Sequence, residues 1–534
     1  MTATPTQQYD DRMPSLGAEV IEGLVNIVGR DAVIVDRPLL EDPEHPLKDP
    51  YWIPDNHRYS PAAAVLPSSV EEVQGIVALA HEHRIPIWTH SQGRNNGYGG
   101  PSPRVRGSLN LSLRRMNRIL EINEELAYAV VEPGVRWFDL YDELRRRGSR
   151  LMVSIPDLGW GSVVGNSLDN GVTYLPVGQD FGAPCGLEVV LPDGQLLRTG
   201  MGAMSGNPSF HIYKRGVGPV LDPLFMQSNL GIVTRMGIWL TPQPEVFAPL
   251  TLTIAHEADL PAAIDTIREL KLRNQLRGSP CLYNTLMAAT MTGAKDAIAA
   301  AAQGIMPDED IERIARQTGL GRWYVRAALW GNREEIEVQL RSVRAAWERI
   351  PGATITVSGH YAPDEYESIE SISDRILAGV PNLDVIKHKD EGFAHIGLSP
   401  LVPLQGHRVQ EVVELIRTIT HEQMGLNFKA GILVTGDRSC AVVASINFDR
   451  RDPVQAAHAY EVGRTMIREV ARLGYTEYRT HLDLMDDVAG LLDFNDHAYR
   501  RFCERIKDAV DPRGILSPGR YGIWPGGAGP AGGD

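Results

Sequence analysis

Residues 91–100, SQGRNNGYGG, set one phenol, Tyr98, among four glycines. Glycines give a loop the positive-φ turns and close backbone approach by which amide groups meet a phosphate. A phosphate cradle has no use for a tyrosine. Tyr98 is therefore either a spacer or the sign of a loop with two jobs. Residues 159–171 (GWGSVVGNSLDNG) and 228–234 (SNLGIVT) offer similar small residues and backbone amides. The three segments could cradle a pyrophosphate, or they could be ordinary turns. No Walker sequence is present. GWGSVVG (159–165) and GMGAMSG (200–206) each miss the dinucleotide fingerprint by one residue, which argues against a Rossmann site.

Other chemistry-bearing residues read blandly by themselves. Asp157 in IPDLGWG is a turn former. Tyr478 and Arg479 in EYRTH read as a strand edge, and His395 in AHIGLSP as a core histidine. Neighbours in a strand face opposite ways, so Tyr478 and Arg479 share a ligand only if the chain is irregular there or Arg479 curls round. His81 and His83 cannot share a helical face, so they are not read as metal ligands.

The elements that must position these residues alternate helix and strand signals. Ser68–Ser69–Val70–Glu71 predicts a capping box, followed by Val73, Ile76, Val77 and Ala80 at helical spacing. IPIWTH (85–90) predicts the strand that leads into the glycine loop. SLNLSL (108–113) alternates as a strand, and AYAVVEPGV (127–135) reads as a buried strand and turn. LEVVLPDGQLLRTG (187–200) predicts two strands about a Pro-Asp-Gly turn. TPQPEV (241–246) marks a break. Beyond it, helices are expected near 260–274, 333–348, 407–424 and 454–473, the last capped by Asp452 and stopped by Gly474. ATITVSGH and CAVVASINF supply strands for a second α+β domain. Residues 523–534 read as a flexible tail.

The chain has 534 residues, a length that suggests two domains. Its net charge of −14 disfavours nucleic acid and anionic membrane as partners. No apolar stretch is long enough to span a bilayer, and no secretory signal is evident. Cys185, Cys281, Cys440 and Cys503 lie far apart without a C-x-x-C, as reduced thiols of a cytoplasmic protein would. No metal site is expected.

Seven segments add a family. GRNNGYGG, PDLGWGSVVGNSLDNGV, GLEVVLPDGQLLRTGMGA, QSNLGIVTRMGIWL, HIGLSP, EYRTH and SPGRYGIW, in this order between about residues 60 and 525, resemble the vanillyl-alcohol oxidase/p-cresol methylhydroxylase flavoproteins. The resemblance implies a two-domain α+β fold. Residues 1–245 would begin the FAD-binding domain, 246–489 would form an inserted α+β cap, and 490–534 would return to the first domain and end in the tail.

FAD would be held through Gly93, Arg94, Asn95, Asn96, Gly97, Gly161, Ser162, Gly165, Asn166, Gly231, Ile232, Val233 and Arg520, and bonded covalently to His395. The family oxidises para-substituted phenols by hydride loss from the benzylic carbon to give a p-quinone methide. Tyr98, Tyr478 and Arg479 match its phenolate-binding trio, and Asp157 its active-site aspartate. Tyr174 and Val172 match substrate-cavity positions. The methylhydroxylase branch differs at Asp157 and His395, which points to molecular oxygen as acceptor and hydrogen peroxide as product. Electron transfer to a cytochrome is the alternative. A same-fold oxidase of 2-hydroxy acids or sugars, or a catalytically silent flavin binder, would not need the trio. A homodimer is expected. Two departures put substrate identity in question: YLPVGQDF (174–181) where relatives read roughly YTPYGDHF, and SCAVV (439–443) where they carry a Met-His-His stretch.

Overall fold

The structure is a computed structural model that describes residues 14–35, 47, 49, 51, 59–176, 182–292, 304–386 and 392–526. Three sheets organise it. The first has four strands in the order Val33–Ile34, Ala63–Val65, Leu109–Ser112, Ile87–His90, with the last three parallel. Parallel neighbours need a crossover, and the helix Val70–His83 supplies one, burying Val73, Ile76, Val77 and Ala80. Its cap sits one residue later than the sequence suggests. Ser69 Oγ accepts from Glu72 N, and the Glu72 carboxylate reaches back to Ser68 N at 2.6 Å. With two serines in a row, side-chain reach selects the second. Leu109–Ser112 is buried on both faces, so its alternating sequence does not mark a solvent side.

The second sheet is antiparallel, in the order Ile119–Asn123, Tyr128–Val131, Ile232–Trp239, Pro184–Val190, Leu196–Arg198. The Pro-Asp-Gly turn closes its last hairpin, with Gly194 at φ +82°. These two sheets, with helix Val70–His83 and the loops between them, carry the three small-residue segments.

The third sheet has eight strands, in the order Thr354–Val357, Val246–Ile254, Trp323–Gly331, Cys281–Asn284, Ala430–Leu433, Ser439–Asp449, Phe393–Leu398, with Leu401–Pro403 beside Ser439–Asp449. Strand alternation divides its faces. Leu250, Leu252, Val325 and Ala327 join the core formed with the helices Leu260–Leu272, Arg333–Trp347, Gly406–Ile419 and Pro453–Arg472. Cys281, Tyr283, Tyr324 and Ala328 lie on the other face, in the core shared with the second sheet. Arg326, in register with Cys281, points the same way. Asp452 caps Pro453–Arg472 through Val454 N and Gln455 N, and Gly474 follows at φ +90°.

The end of the chain comes back to the first sheet. Ile87 N donates to Ile515 O, and Ser517 N to Ile87 O, both at 2.7 Å. A buried ion pair, Lys507–Asp511 at 2.6 Å, braces the return, and Lys507 Nζ also donates to Asn229 O and Leu516 O. The expected tail is anchored at its start. Trp524 Nε1 donates to Asp486 at 2.9 Å, and Gly526 N to Asp508 at 2.6 Å. Residues 527–534 lie outside the described residues. Among the described residues, no helix is long and apolar enough to cross a membrane.

Candidate active site

The glycine loop leaves strand Ile87–His90 and runs against strand Phe393–Leu398 of the third sheet. Gly397 N donates to Gly97 O at 2.8 Å. Gly97 has φ +82°, and a Cβ there would collide with the His395 imidazole. A Cβ on Gly397 would press on the Tyr98 ring. Close approach therefore requires glycine at both positions, and the turn conformation requires it at Gly97 as well. Leu482 N donates to Tyr98 O at 3.1 Å, tying the loop to the EYRTH segment.

That segment is irregular, which removes the strand-alternation difficulty. Glu477 makes a single bridge to Pro400, and the chain bends at Tyr478 and Arg479. The Arg479 guanidinium lies 4.3 Å from the Tyr98 ring centroid and 5.6 Å from that of Tyr478. Burial opposes its charge. The oxygens of Tyr478, Tyr98 and Asp169 around it outweigh that and hold it protonated. Burial pushes the Tyr478 hydroxyl above the usual phenol range, against the pull of Arg479. The Tyr98 hydroxyl lies 3.2 Å from Ser399 Oγ. Asp169 gathers the far side. It accepts from Asn95 Nδ2 at 2.8 Å and from the Tyr521 hydroxyl, and faces Arg520 at 3.6 Å and Arg479 at 3.9 Å.

In front of Asp169 opens a long cleft. Gly93, Arg94, Asn95, Gly161, Ser162, Gly165, Asn166, Gly231, Ile232, Val233 and Arg520 line it, together with His90, Gln227, Asn229 and Arg479. Asn96, Gly97 and His395 stand outside this lining; the last two meet each other beside Tyr98. The cleft fits an extended anionic dinucleotide. Three arginines supply positive charge. Ser162 Oγ caps the helix Val163–Leu168 through Gly165 N, and that helix is too short to act as an anion site alone. A Cβ at Gly165 would strike Ser91, and one at Gly231 would strike Val189, so the walls close up only with glycine. Neither ring nitrogen of His90 has a hydrogen-bond partner among the described residues, nor does Asn229 Oδ1. Burial first, then Arg114, lowers the His90 pKa to about 3, so a neutral imidazole faces the cleft.

Asp157 belongs to a second cluster. The Tyr174 hydroxyl donates to Asp157 Oδ2 at 2.5 Å, and both terminal nitrogens of Arg326 donate to Oδ1 at 3.3 Å. Arg326 is fully buried, with its guanidinium 4.3 Å from the Tyr174 ring centroid. Burial opposes its charge, and the oxygens of Tyr283 and Asp157 with the Cys281 sulfur overcome that. Tyr174 is pushed well above the phenol range by burial and then by the charge of Asp157. Asp157 remains 34% exposed on its side chain, so part of the carboxylate is open. Val172 is half-buried on the chain just before Tyr174.

Sequence reasoning missed Arg326 and Asp169. Arg326 interrupts the apolar strand WYVRAALWG, and a lone arginine inside a buried strand needs a partner, which was a usable signal. Asp169 follows the short helix Val163–Leu168 in a small-residue segment, and nothing local marks it as a hub. Of the two departures from relatives, residues 177–181 lie outside the described residues. Cys440 and Val442 are buried in strand Ser439–Asp449.

Comparison with known proteins agrees with this geometry. An FAD binding domain model matches residues 61–200, and the model of the C-terminal domain of FAD linked oxidases matches residues 404–521. The flavoprotein subunit of 4-cresol dehydrogenase (hydroxylating) from Pseudomonas putida is 35% identical over 476 residues, covering 88% of this chain and 89% of that one. The 1'-carboxy-chondrochloren decarboxylase of Chondromyces crocatus is 33% identical, covering 87% and 91%. Among solved structures, 4-ethylphenol oxidase from Gulosibacter chungangensis in its isoeugenol complex superposes with a TM-score of 0.88 at 34% identity, covering 96% of this chain and 99% of that one. Substrate-bound p-cresol methylhydroxylase gives the same TM-score and coverage at 32% identity. With this fold, this cleft and these relatives, the chain belongs to the vanillyl-alcohol oxidase/p-cresol methylhydroxylase family of FAD-linked oxidoreductases, and its cofactor is FAD.

Proposed function

We propose that this enzyme oxidises para-substituted phenols, among them 4-alkylphenols, 4-hydroxybenzyl alcohols and eugenol-like compounds, and passes the electrons to molecular oxygen. The observation that carries the reading is the trio. Two tyrosines converge on a buried guanidinium whose Nε has no hydrogen-bond partner among the described residues and whose nearest carboxylate, Asp169, stands 3.9 Å away. A buried charge held so loosely is costly unless a ligand completes its contacts. A phenol has a pKa near about 10. Arg479 and the hydroxyls of Tyr98 and Tyr478 would stabilise its anion, which pushes electron density to the para carbon and loosens the benzylic hydride. FAD, when bound, supplies the hydride acceptor. The substrate is left as a p-quinone methide, to which water adds, or which leaves as a ketone, aldehyde or alkene. Tyr174 and Arg326 hold the Asp157 carboxylate in place. The exposed part of that carboxylate orients the attacking water and offsets positive charge at the benzylic carbon.

In this reading residues 246–489 form the cap, and 1–245 with 490–534 the flavin domain. Two features support that division: the break between the second and third sheets, and the return of Leu516 to Ile87. His395, pressed against the glycine loop, is proposed to bond FAD covalently. The flavin colour should stay with the chain after acid denaturation and be lost from His395→Ala under the same treatment; retention in that variant would reject the linkage.

The names of the relatives divide on the acceptor, one an oxidase and one a dehydrogenase subunit. Asp157 and His395 favour the oxidase. Oxygen uptake and peroxide formation with a 4-alkylphenol and no added acceptor are expected. Turnover only with a cytochrome or dye would support the dehydrogenase instead.

A further inference from the structure

Behind the trio lies a second cavity of about 440 Å³, lined by Glu477, Tyr478 and Arg479 on one wall. Arg479 separates it from the cofactor cleft, lining both. Thr476 Oγ1, Thr480 Oγ1, Arg479 Nε and Arg500 Nε have no hydrogen-bond partner among the described residues, and all four residues line this cavity. Apolar side chains line it as well, among them Met226, Val488, Leu492 and Ile523. Glu477 brings the carboxyl group. It accepts a hydrogen bond from Ser399 N, while Ser399 Oγ meets the Tyr98 hydroxyl and Ser399 O accepts from Tyr478 N. One serine thus couples Glu477 to both tyrosines of the trio.

Several groups face Glu477. Tyr478 and Arg479 come from its own segment, and Tyr499, Arg500 and Cys503 from helix Phe494–Val510. Tyr521 comes from the C-terminal turn, Tyr98 lies across Ser399, and Asp169 sits beyond Arg479. Burial pushes the Glu477 pKa up to about 8, with the Ser399 amide pulling the other way. Burial also holds Tyr478, Tyr499 and Tyr521 above the phenol range and Cys503 above the thiol range. Of these groups, Glu477 is the one that changes charge between about pH 7 and 9.

We propose that Glu477 is a positioning residue of the phenol site: as an uncharged acid it holds Ser399 against both tyrosines without repelling the substrate oxygen, and on ionising it places a negative charge behind Tyr478 and Ser399 that weakens phenol binding. The proposal rests on the reading of Tyr98, Tyr478 and Arg479 as the phenol site. No bond to carbon changes. When a phenol binds to the ionised form, Glu477 takes one proton from solvent.

The test uses the FAD-loaded full chain and 4-tert-butylphenol, which has no benzylic hydrogen and so binds without being oxidised. Calorimetric titration in buffers of different protonation enthalpy counts protons. Uptake per phenol bound should rise by about one between pH 6.5 and pH 9, whatever proton the phenol itself releases at both. Binding with an unchanged proton count would overturn the role of Glu477 alone. No binding at either pH would overturn the phenol-site reading itself, and this inference with it. Glu477→Gln gives a second readout on an oxidisable 4-alkylphenol. The wild-type-to-variant ratio of KM, which cancels the substrate's own ionisation, should climb about tenfold between pH 7 and 9, with kcat moving less. Parallel KM profiles would overturn the proposal, and the proton count decides it should the variant fail to fold.

Discussion

Arg479 and Arg326 are both buried arginines whose guanidinium lies 4.3 Å from the centroid of a tyrosine ring, and both face an aspartate. They differ in how far the protein has used their charge. Arg326 puts two nitrogens on one oxygen of Asp157 at 3.3 Å, while Tyr174 binds the other oxygen. Arg479 stands 3.9 Å from Asp169, a carboxylate already shared with Asn95, Arg520 and Tyr521. The first arrangement spends both terminal nitrogens on Asp157 and holds it still, although Arg326 Nε, like Arg479 Nε, has no partner among the described residues. The second leaves hydrogen-bonding capacity for something that is not protein. Burial of a charge does not by itself separate a structural ion pair from a binding site; how closely its terminal nitrogens already hold a carboxylate does.

The largest effect should come from the unsaturated side. Arg479→Ala is expected to lower kcat/KM for a 4-alkylphenol about a thousandfold while the folded, FAD-containing protein is retained, because Asp169 keeps three other partners. Steady-state kinetics with flavin content measured alongside checks this, and a variant of near-normal activity would break the contrast. Arg326→Met should act first on the fold. Leaving Asp157 without its cation costs about 2–3 kcal/mol, reduced from the fully buried case because the carboxylate is partly open. Denaturant unfolding reads that loss, and an unchanged midpoint would show that the pair is not structural. Tyr98→Phe removes one donor to the phenolate and should lower kcat/KM about tenfold to a hundredfold with no change in stability. Tyr174→Phe is the mildest, costing about 1–2 kcal/mol through the lost hydrogen bond to Asp157, visible as a lower Tm.

The same contrast marks what could be read in the chain beforehand. The glycine loop was legible because positive-φ glycines and an unexplained tyrosine are local signals, and the structure places Tyr98 against Arg479. The helices Arg333–Trp347 and Pro453–Arg472 were legible to within a residue or so because their caps are local too. The capping box was off by one because two adjacent serines compete for the same turn. Bringing Tyr478 and Arg479 to one point depended on a bend that strand periodicity does not foretell. Asp169, Arg326 and Glu477 act through partners tens to hundreds of residues away, so their neighbours in sequence say little about them. Only the misplaced charge of Arg326 inside an apolar strand hinted at a partner.

The central claim is that the trio binds an ionised phenol oxygen. Anaerobic addition of a 4-alkylphenol to the FAD-loaded protein should bleach the visible flavin band, while the corresponding O-methyl ether, which cannot ionise, should leave it unchanged. Equal bleaching by the ether, or none by any para-alkylphenol, would contradict the account.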